Sequence, residues 1–293
     1  MPQRLSYDLH LHTCWSYDAF NTLEGYFQHA QTQGVRCIAI TDHMVMDGAD
    51  QIDEAGRDYP DVRAIPAAEF TVSTPHCRRV DLLCFGLQRD DPGPLSGVLD
   101  IYRDFQRATG EARWKGLKAL GLDVTEDDYL KLLRSYRPAI VVDIQGVTDC
   151  QIDVWLRFLT DRGFISDPDE LPPLIAKASE KVNSPPFPDV SRVVPAVKQS
   201  GALVALAHPS RYVGDDESMI DAYLDTCQAD GMECAHGSVP PEFTRLYRNY
   251  CVKHGLFSTS GSDAHDETDL ENDFARHLGE EDWLDEFLER VDG

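Results

Sequence analysis

The chain has 293 residues, a hydrophobic content of 42% and a formal net charge of −24 at pH 7. Its length suits one large domain or a barrel that carries an insertion. The negative charge and the lack of a basic stripe argue against a nucleic-acid-binding protein. With no long apolar run and no signal-peptide pattern, the sequence predicts a cytoplasmic protein without a membrane partner.

The first ninety residues alternate between strand and helix patterns. The first strand pattern, "RLSYDLHLHT", alternates apolar and polar residues, whereas "VRCIAITDH" and "VRAIPAAEF" are mostly apolar, and all three contain ligand-type residues near their ends. Between the first two, Thr22 can cap a helix that Gly34 can end. The stretch "RVDLLCFGL", which contains Asp81, predicts a further strand. This alternation favours a parallel sheet.

The middle of the chain departs from this rhythm. Helical patterns occur at 95–120 and 151–162, joined by acidic and proline-rich links such as "DPDELPP". We predict a mainly helical insertion (89–189) that covers the mouth of a barrel formed by residues 1–88 and 190–293. None of the eight cysteines forms a C-x-x-C pair, which predicts free thiols rather than disulfides.

The last hundred residues resume the alternation. The stretches "GALVALAHPSR", "GMECAHG" and "GLFSTSGSDAH" predict strands that end near further ligand-type residues, with helices between them. The acidic C-terminal tail predicts an amphipathic helix that packs Trp283, Leu284, Phe287 and Leu288 inward. The remaining histidines of helical stretches, His29, His254 and His277, are predicted at the surface.

Side chains at the carboxyl ends of neighbouring strands meet at one edge of a sheet or barrel. His10 and His12 are two residues apart and can face one metal ion together from a strand. Imidazole and carboxylate groups are ligands for zinc, manganese and iron. The predicted strand ends carry seven such residues, which indicates a metal site: His10, His12, His43, Glu69, His208, Asp263 and His265.

The motifs "DLHLHT", "AITDH", "AAEF", "AHPSR" and "SGSDAH" resemble, in order, those of the polymerase and histidinol phosphatase (PHP) family of metal-dependent phosphoesterases. The resemblance implies an α/β fold, a distorted (β/α)7 TIM-like barrel, with two or three divalent ions (Mn, Zn or Fe) at its mouth. The stretches "AHPSRY" and "SGSDAH" are most similar to the branch that dephosphorylates nucleotides such as AMP and 3′,5′-bisphosphonucleotides.

The resemblance also implies a distribution of ligands. One ion would take His10, His12, Glu69 and Asp263, and a second would share Glu69 and use His208. A third would take Asp18, His43 and His265. Where the family places a further histidine for the second ion, this chain offers Asp81, with His76 as the alternative. Asp42 is expected to orient its neighbours.

The expected reaction is hydrolysis of a small phosphorylated substrate by attack of metal-bound hydroxide. Arg211 is the candidate for binding the phosphate. His236 is a candidate acid for the leaving group; the alternative interpretation is that His236 is an ordinary surface residue. Nucleotide-hydrolysing relatives place an arginine and a histidine in the insertion where this chain has Ile152 and Val154.

Two other functions therefore remain open. One is histidinol-phosphate hydrolysis on the same scaffold. The other is a catalytically weakened metal-binding protein with a regulatory role, which the departures at Asp81 and in the insertion favour. The sequence leaves the oligomeric state open.

Overall fold

The computed structural model describes residues 3–88 and 93–293. Seven β-strands form one sheet in which the spatial order of the strands is their order in the chain. They are β1 (Tyr7–Leu11), β2 (Cys37–Ile40), β3 (Arg63–Val72), β4 (Val80–Phe85), β5 (Leu203–Leu206), β6 (Gly231–Ala235) and β7 (Phe257–Ser260). The chain after β7 returns to β1, where the Asp263 N–H donates to the His10 carbonyl oxygen at 2.9 Å. The sheet is thus a nearly closed barrel, which confirms the predicted fold class.

The direction of β4 corrects the expectation of a parallel sheet. β4 pairs antiparallel with both β3 and β5, whereas the other neighbouring pairs are parallel. The reason is that a short loop, 73–79, joins β3 to β4, and a parallel pair needs a longer crossover connection. The start of β4, rather than its end, therefore lies at the edge where the parallel strands finish.

Twelve α-helices and two short 3₁₀ helices accompany the strands in the described part of the chain. The helices that precede β5 in the chain are α1 (Leu23–Gln33), α2 (Ala49–Asp58), α3 (Pro94–Ala119), α4 (Glu126–Arg134), α5 (Ala139–Gln145), α6 (Ile152–Asp161), α7 (Leu171–Lys181) and α8 (Val190–Gln199). The others are α9 (Glu217–Cys227), α10 (Pro241–His254), α11 (Glu267–Asn272) and α12 (Glu281–Val291). The 3₁₀ helices span Pro168–Glu170 and Pro209–Arg211.

Helices α3–α7 lie between β4 and β5, where the helical insertion was expected. Part of this segment has its own apolar cluster, in which the rings of Tyr129 and Trp155 are 5.5 Å apart. The first half of α3 instead packs on the barrel, since the Tyr102 hydroxyl donates to the Thr71 carbonyl oxygen at 2.8 Å. The division into a barrel and a cap at residues 88 and 189 stays a prediction.

One end of the barrel is apolar and covered. Residues at the starts of β1, β5 and β7 and at the end of β4 form one hydrophobic cluster with α12. In this cluster Phe287 of α12 contacts Phe85 and Phe257, with ring centroids 4.9 and 5.8 Å apart. The predicted amphipathic C-terminal helix is confirmed, since Trp283, Leu284 and Phe287 are buried.

Local signals in the sequence give the expected helix ends. The Thr22 side chain accepts a hydrogen bond from the Gly25 N–H at 3.1 Å and caps α1. Gly34 ends this helix with φ of 74°, a conformation that costs glycine little. These contacts confirm the predicted bounds.

Further expectations concern single side chains. All eight cysteines are free, as predicted. His254 is exposed and His29 is half-buried. The prediction for His277 is wrong: it lies buried between α11 and α12, where its Nε2 atom is 2.9 Å from the Tyr7 carbonyl oxygen. Among the described residues, no helix has the length and apolar character needed to cross a membrane.

Candidate metal centre

The polar end of the barrel gathers the predicted imidazole and carboxylate ligands, which come from six of the seven strands. They lie at or just beyond the ends of β1, β2, β3, β5 and β7 and at the start of β4. All nine side chains that the sequence indicated as metal ligands are in this group: His10, His12, Asp18, His43, Glu69, Asp81, His208, Asp263 and His265. Most are buried, with Asp18, Asp263 and His265 half-buried.

The first set is formed by His10, His12 and Asp263. The Nε2 atoms of the two histidines are 3.1 Å apart. Asp263 Oδ1 lies 3.3 Å from His10 Nε2 and 3.0 Å from His12 Nε2. Glu69 Oε2 is 3.6 and 3.5 Å from the same two nitrogen atoms. These four side chains, which the resemblance groups around one ion, therefore face a common point.

The second set is formed by Glu69, Asp81 and His208. His208 Nε2 lies 3.2 Å from Glu69 Oε1 and 3.7 Å from Asp81 Oδ2. Because β4 runs antiparallel, its second residue reaches the same edge as the ends of β3 and β5. His76 is elsewhere: it is exposed, and its Nε2 is 3.3 Å from the Thr226 hydroxyl. The structure brings Asp81, and not His76, to the cluster.

The third set is formed by Asp18, His43 and His265. Asp18 Oδ2 is 3.4 Å from His43 Nε2, and Asp18 Oδ1 is 3.8 Å from His265 Nε2. The Nδ1 atom of His43 faces the other side, 2.9 Å from Glu69 Oε2. Glu69 thus contacts members of all three sets, and the turn after β1 carries Asp18 back toward the end of β2.

The pKa values of His10 and His12 are shifted in opposite directions by their surroundings. Burial and the nearby His43 and His265 lower the pKa of His12 to about 3, so this ring is neutral at pH 7. Burial opposes a charge on His10 too, but Glu233, Asp263 and Glu69 raise its pKa well above the usual value. Without metal, a proton on His10 Nε2 therefore separates the two facing nitrogen atoms.

The donor set fits divalent metal ions. Imidazole nitrogen and carboxylate oxygen atoms converge within coordination reach of common points. Two buried atoms in the cluster, Asp18 Oδ1 and His43 Nδ1, have no hydrogen-bond partner among the described residues. His43 Nδ1 is close to Glu69, but the pair does not have the angles of a hydrogen bond. Such convergence is expected of side chains that point at an ion rather than at each other.

Glu233 in β6 belongs to the site and was missed from the sequence. Its Oε1 atom lies 2.9 Å from His10 Nδ1, and its Oε2 atom accepts the His208 N–H at 2.7 Å. Burial opposes ionisation, but His10 and His236 lower its pKa, so it is a carboxylate and can only accept. Its acceptor role fixes the proton on His10 Nδ1 and leaves Nε2 to face Asp263. A carboxylate inside the apolar strand "GMECA" was the signal available.

Asp42 orients the first loop, as expected. Its carboxylate accepts the Thr13 N–H, the Thr13 hydroxyl and the Ser16 hydroxyl, each at 2.7 Å. Ser16 Oγ is in turn 3.2 Å from His12 Nδ1 and accepts the His43 N–H at 2.9 Å. Asp42 therefore holds two of the metal-facing histidines in place without facing the cluster itself.

Two further candidates lie at the edge of the cluster. Arg211 is exposed, and its Nη1 atom is 3.3 Å from His208 Nε2. His236 is buried rather than a surface residue, with its Nε2 atom 3.2 Å from Asp263 Oδ2. Its Nδ1 atom accepts the Ser238 N–H at 2.9 Å, so Nε2 carries the proton. Whether either residue acts in catalysis stays a prediction.

Comparison with known proteins agrees with this picture. Residues 8–137 match the model of the PHP domain. A candidate metal-dependent phosphoesterase from Bifidobacterium adolescentis has a similar structure, with 23% sequence identity and a TM-score of 0.74 over 99% of this chain and 98% of that one. An amidohydrolase from Chromobacterium violaceum, solved with bound sulfate and no metal, has 20% identity and a TM-score of 0.70 over 97% and 96% of the two chains. No curated protein matches this chain.

Proposed function

We propose that this protein is a metal-dependent phosphomonoesterase that acts on a small phosphorylated substrate, a nucleotide such as AMP or a 3′,5′-bisphosphonucleotide. The PHP-domain match and the shared fold support hydrolysis of a phosphoester. The observation that carries the proposal is the bridging position of Glu69, whose two carboxylate oxygens face different sets of nitrogen atoms. A carboxylate shared in this way is typical of a site for more than one cation.

The residues of the site have distinct tasks in this proposal. His10, His12, Glu69 and Asp263 would hold one cation, Asp81 and His208 a second with Glu69, and Asp18, His43 and His265 a third. When bound, such cations would make water more acidic and offset the charge of phosphoryl oxygens. The chain supplies orientation through Asp42 and Glu233, as their hydrogen bonds to the ligand-bearing loops indicate.

Two side chains would act on the substrate itself. The exposed Arg211 would bind phosphoryl oxygens beside His208, because a guanidinium offers paired donors to a phosphate. His236 would donate a hydrogen bond from its Nε2 atom to the departing oxygen atom and stabilise the charge that develops there, since its Nδ1 atom accepts the Ser238 N–H. The proton on Nε2 is held toward Asp263, which orients the ring.

A substrate panel tests the proposal. The protein would be stripped with a chelator, reloaded with manganese and assayed for phosphate release from AMP, adenosine 3′,5′-bisphosphate and histidinol phosphate. We expect turnover of the nucleotides, its loss in the Asp263→Ala variant and its retention in Asp225→Ala, which removes an exposed carboxylate of α9. Preference for histidinol phosphate would replace the nucleotide assignment. Bound metal without turnover of any ester would contradict the enzymatic proposal.

A further inference from the structure

A second arginine lies beside the cluster. Arg79 is the residue before β4, and the antiparallel direction of that strand brings it to the polar end of the barrel. Its Nε atom is 3.4 Å from Asp81 Oδ2 and 3.5 Å from Asp81 Oδ1. Asp81 Oδ2 is in turn 3.7 Å from His208 Nε2, the atom that Arg211 approaches from its own loop. Arg79 and Arg211 thus flank the same pair of predicted ligands.

The Arg79 side chain is held but remains accessible. Its guanidinium carbon lies 5.9 Å from the centre of the Phe187 ring, which is within range of a cation–π contact. The ion pair with Asp81 uses Nε, whereas a guanidinium also carries donors on its two terminal nitrogen atoms. Its side chain is 51% exposed although Asp81 is almost fully buried. One end of the group is therefore fixed while the other faces solvent at the mouth.

The summed charge of the metal cluster bears on the role of Arg79. The carboxylates in and behind the cluster bring about six negative charges when ionised, and two or three divalent cations bring about four to six positive ones. Those carboxylates are Asp18, Asp42, Glu69, Asp81, Glu233 and Asp263. A loaded site is thus close to neutral, in a protein of net charge −24. Additional positive groups at the mouth would then strengthen the attraction of a phosphate dianion.

We propose that Arg79 is a further substrate-binding residue, which together with Arg211 binds the non-bridging oxygens of a terminal phosphate and favours monoesters over diesters. Two guanidinium groups match the double charge of a phosphomonoester, whereas a diester carries one charge and two non-bridging oxygens. The inference rests on the proposed function, because it assumes that the phosphate lies over the Asp81 side of the cluster.

The test compares Arg79→Gln with Arg78→Gln in manganese-loaded protein. Arg78 is the neighbouring residue and is also exposed, so its variant is a matched control for the loss of one positive charge. Calorimetry would measure the affinity for inorganic phosphate and for dimethyl phosphate at pH 8, and steady-state kinetics would use p-nitrophenyl phosphate. Elemental analysis would report metal content, which separates loss of phosphate binding from damage to Asp81.

We expect Arg79→Gln to weaken phosphate binding and raise KM by about 10- to 100-fold, as for the loss of a charge-assisted hydrogen bond. Dimethyl phosphate binding should change by less than about threefold, and metal content and the Arg78→Gln variant should match wild type. Arg79→Lys should recover part of the affinity, because it restores the charge but not the planar donors. Equal loss for both anions, unchanged phosphate affinity or reduced metal content would overturn the inference. Phosphate binding without turnover of any ester by wild type would instead contradict the proposed function alone.

Discussion

Replacement of Glu233 by glutamine tests how the chain prepares His10 for a metal ion. The carboxylate accepts two hydrogen bonds, from His10 Nδ1 and from the His208 N–H. A glutamine offers one acceptor atom and places donor hydrogens on the other. If its oxygen atom accepts the His208 N–H, its amide group faces His10 Nδ1 and favours the tautomer that carries the proton on Nε2. That tautomer cannot bind a metal through Nε2.

These contacts give the expected loss of metal-binding free energy in the Glu233→Gln variant. Loss of a group that orients a metal-binding histidine typically reduces metal affinity by about 10- to 100-fold. This range corresponds to about 1.4–2.7 kcal/mol of binding free energy at 25 °C. The alternative arrangement leaves the buried His208 N–H against an amide donor, and an unsatisfied buried donor costs about 1–3 kcal/mol. This cost disfavours the alternative arrangement in the folded protein, so the first arrangement and its loss of metal affinity are expected.

Calorimetric titration of manganese into chelator-stripped protein measures this loss. Glu242→Gln, at an exposed position of α10, controls for the change in net charge and should bind as wild type does. Glu233→Asp keeps the charge but is too short to reach both partners, and we expect an intermediate affinity. Thermal unfolding would show that the variants are folded. Wild-type affinity in a folded Glu233→Gln variant would refute the orienting role of this carboxylate.

Three further predictions concern packing and protonation. A methyl group at Gly261 would lie 2.3 Å from the Cβ atom and 2.6 Å from the backbone nitrogen of His10. Gly261→Ala should therefore cost about 1–3 kcal/mol of unfolding free energy and weaken manganese binding. Wild-type values in both measurements would contradict this contact. Burial, only partly offset by Asp8, lowers the pKa of His277 below its usual 6.5. Only the unfolded chain then takes up this proton as the pH falls, so the unfolding free energy should decrease below about pH 6.5, by at most about 1.4 kcal/mol per pH unit. In denaturant titrations with chelator, His277→Gln should lose less unfolding free energy than wild type between pH 7.5 and 5.5. An equal loss in both proteins would argue against a neutral His277. Tyr102→Phe removes the hydrogen bond from α3 to β3 and should cost about 1 kcal/mol in the same titration, whereas no change would indicate that this bond contributes little.

The strand-end residues were predictable because several regularities agree. An H-x-H pair on a strand faces one side, and the carboxyl ends of neighbouring parallel strands share an edge. His10 lies in an alternating strand pattern, His43 follows a mostly apolar run, and Asp263 follows the strand predicted in "GLFSTSGSDAH". The fold class alone was therefore enough to predict that these side chains converge, and the resemblance added how the ligands are grouped around the ions.

Other features depended on contacts that no periodic pattern carries. The resemblance offered Asp81 with His76 as the alternative, and the choice between them depended on the antiparallel direction of β4, which a short loop sets. Glu233 occupies an inward position of an apolar strand, where its partners come from two other strands. His277 has a polar neighbourhood in sequence, but its ring is buried against β1, with Nε2 2.9 Å from the Tyr7 carbonyl oxygen. In each case tertiary contacts decide the environment.

Metal stoichiometry tests the central claim most directly. Wild-type protein and the Glu69→Gln variant would be stripped, loaded with manganese, desalted and measured by elemental analysis. Because Glu69 contacts every set of ligand atoms, we predict two or three manganese ions per wild-type chain and at least one fewer in the variant. Less than one ion per wild-type chain, or the same content in both proteins, would contradict the account.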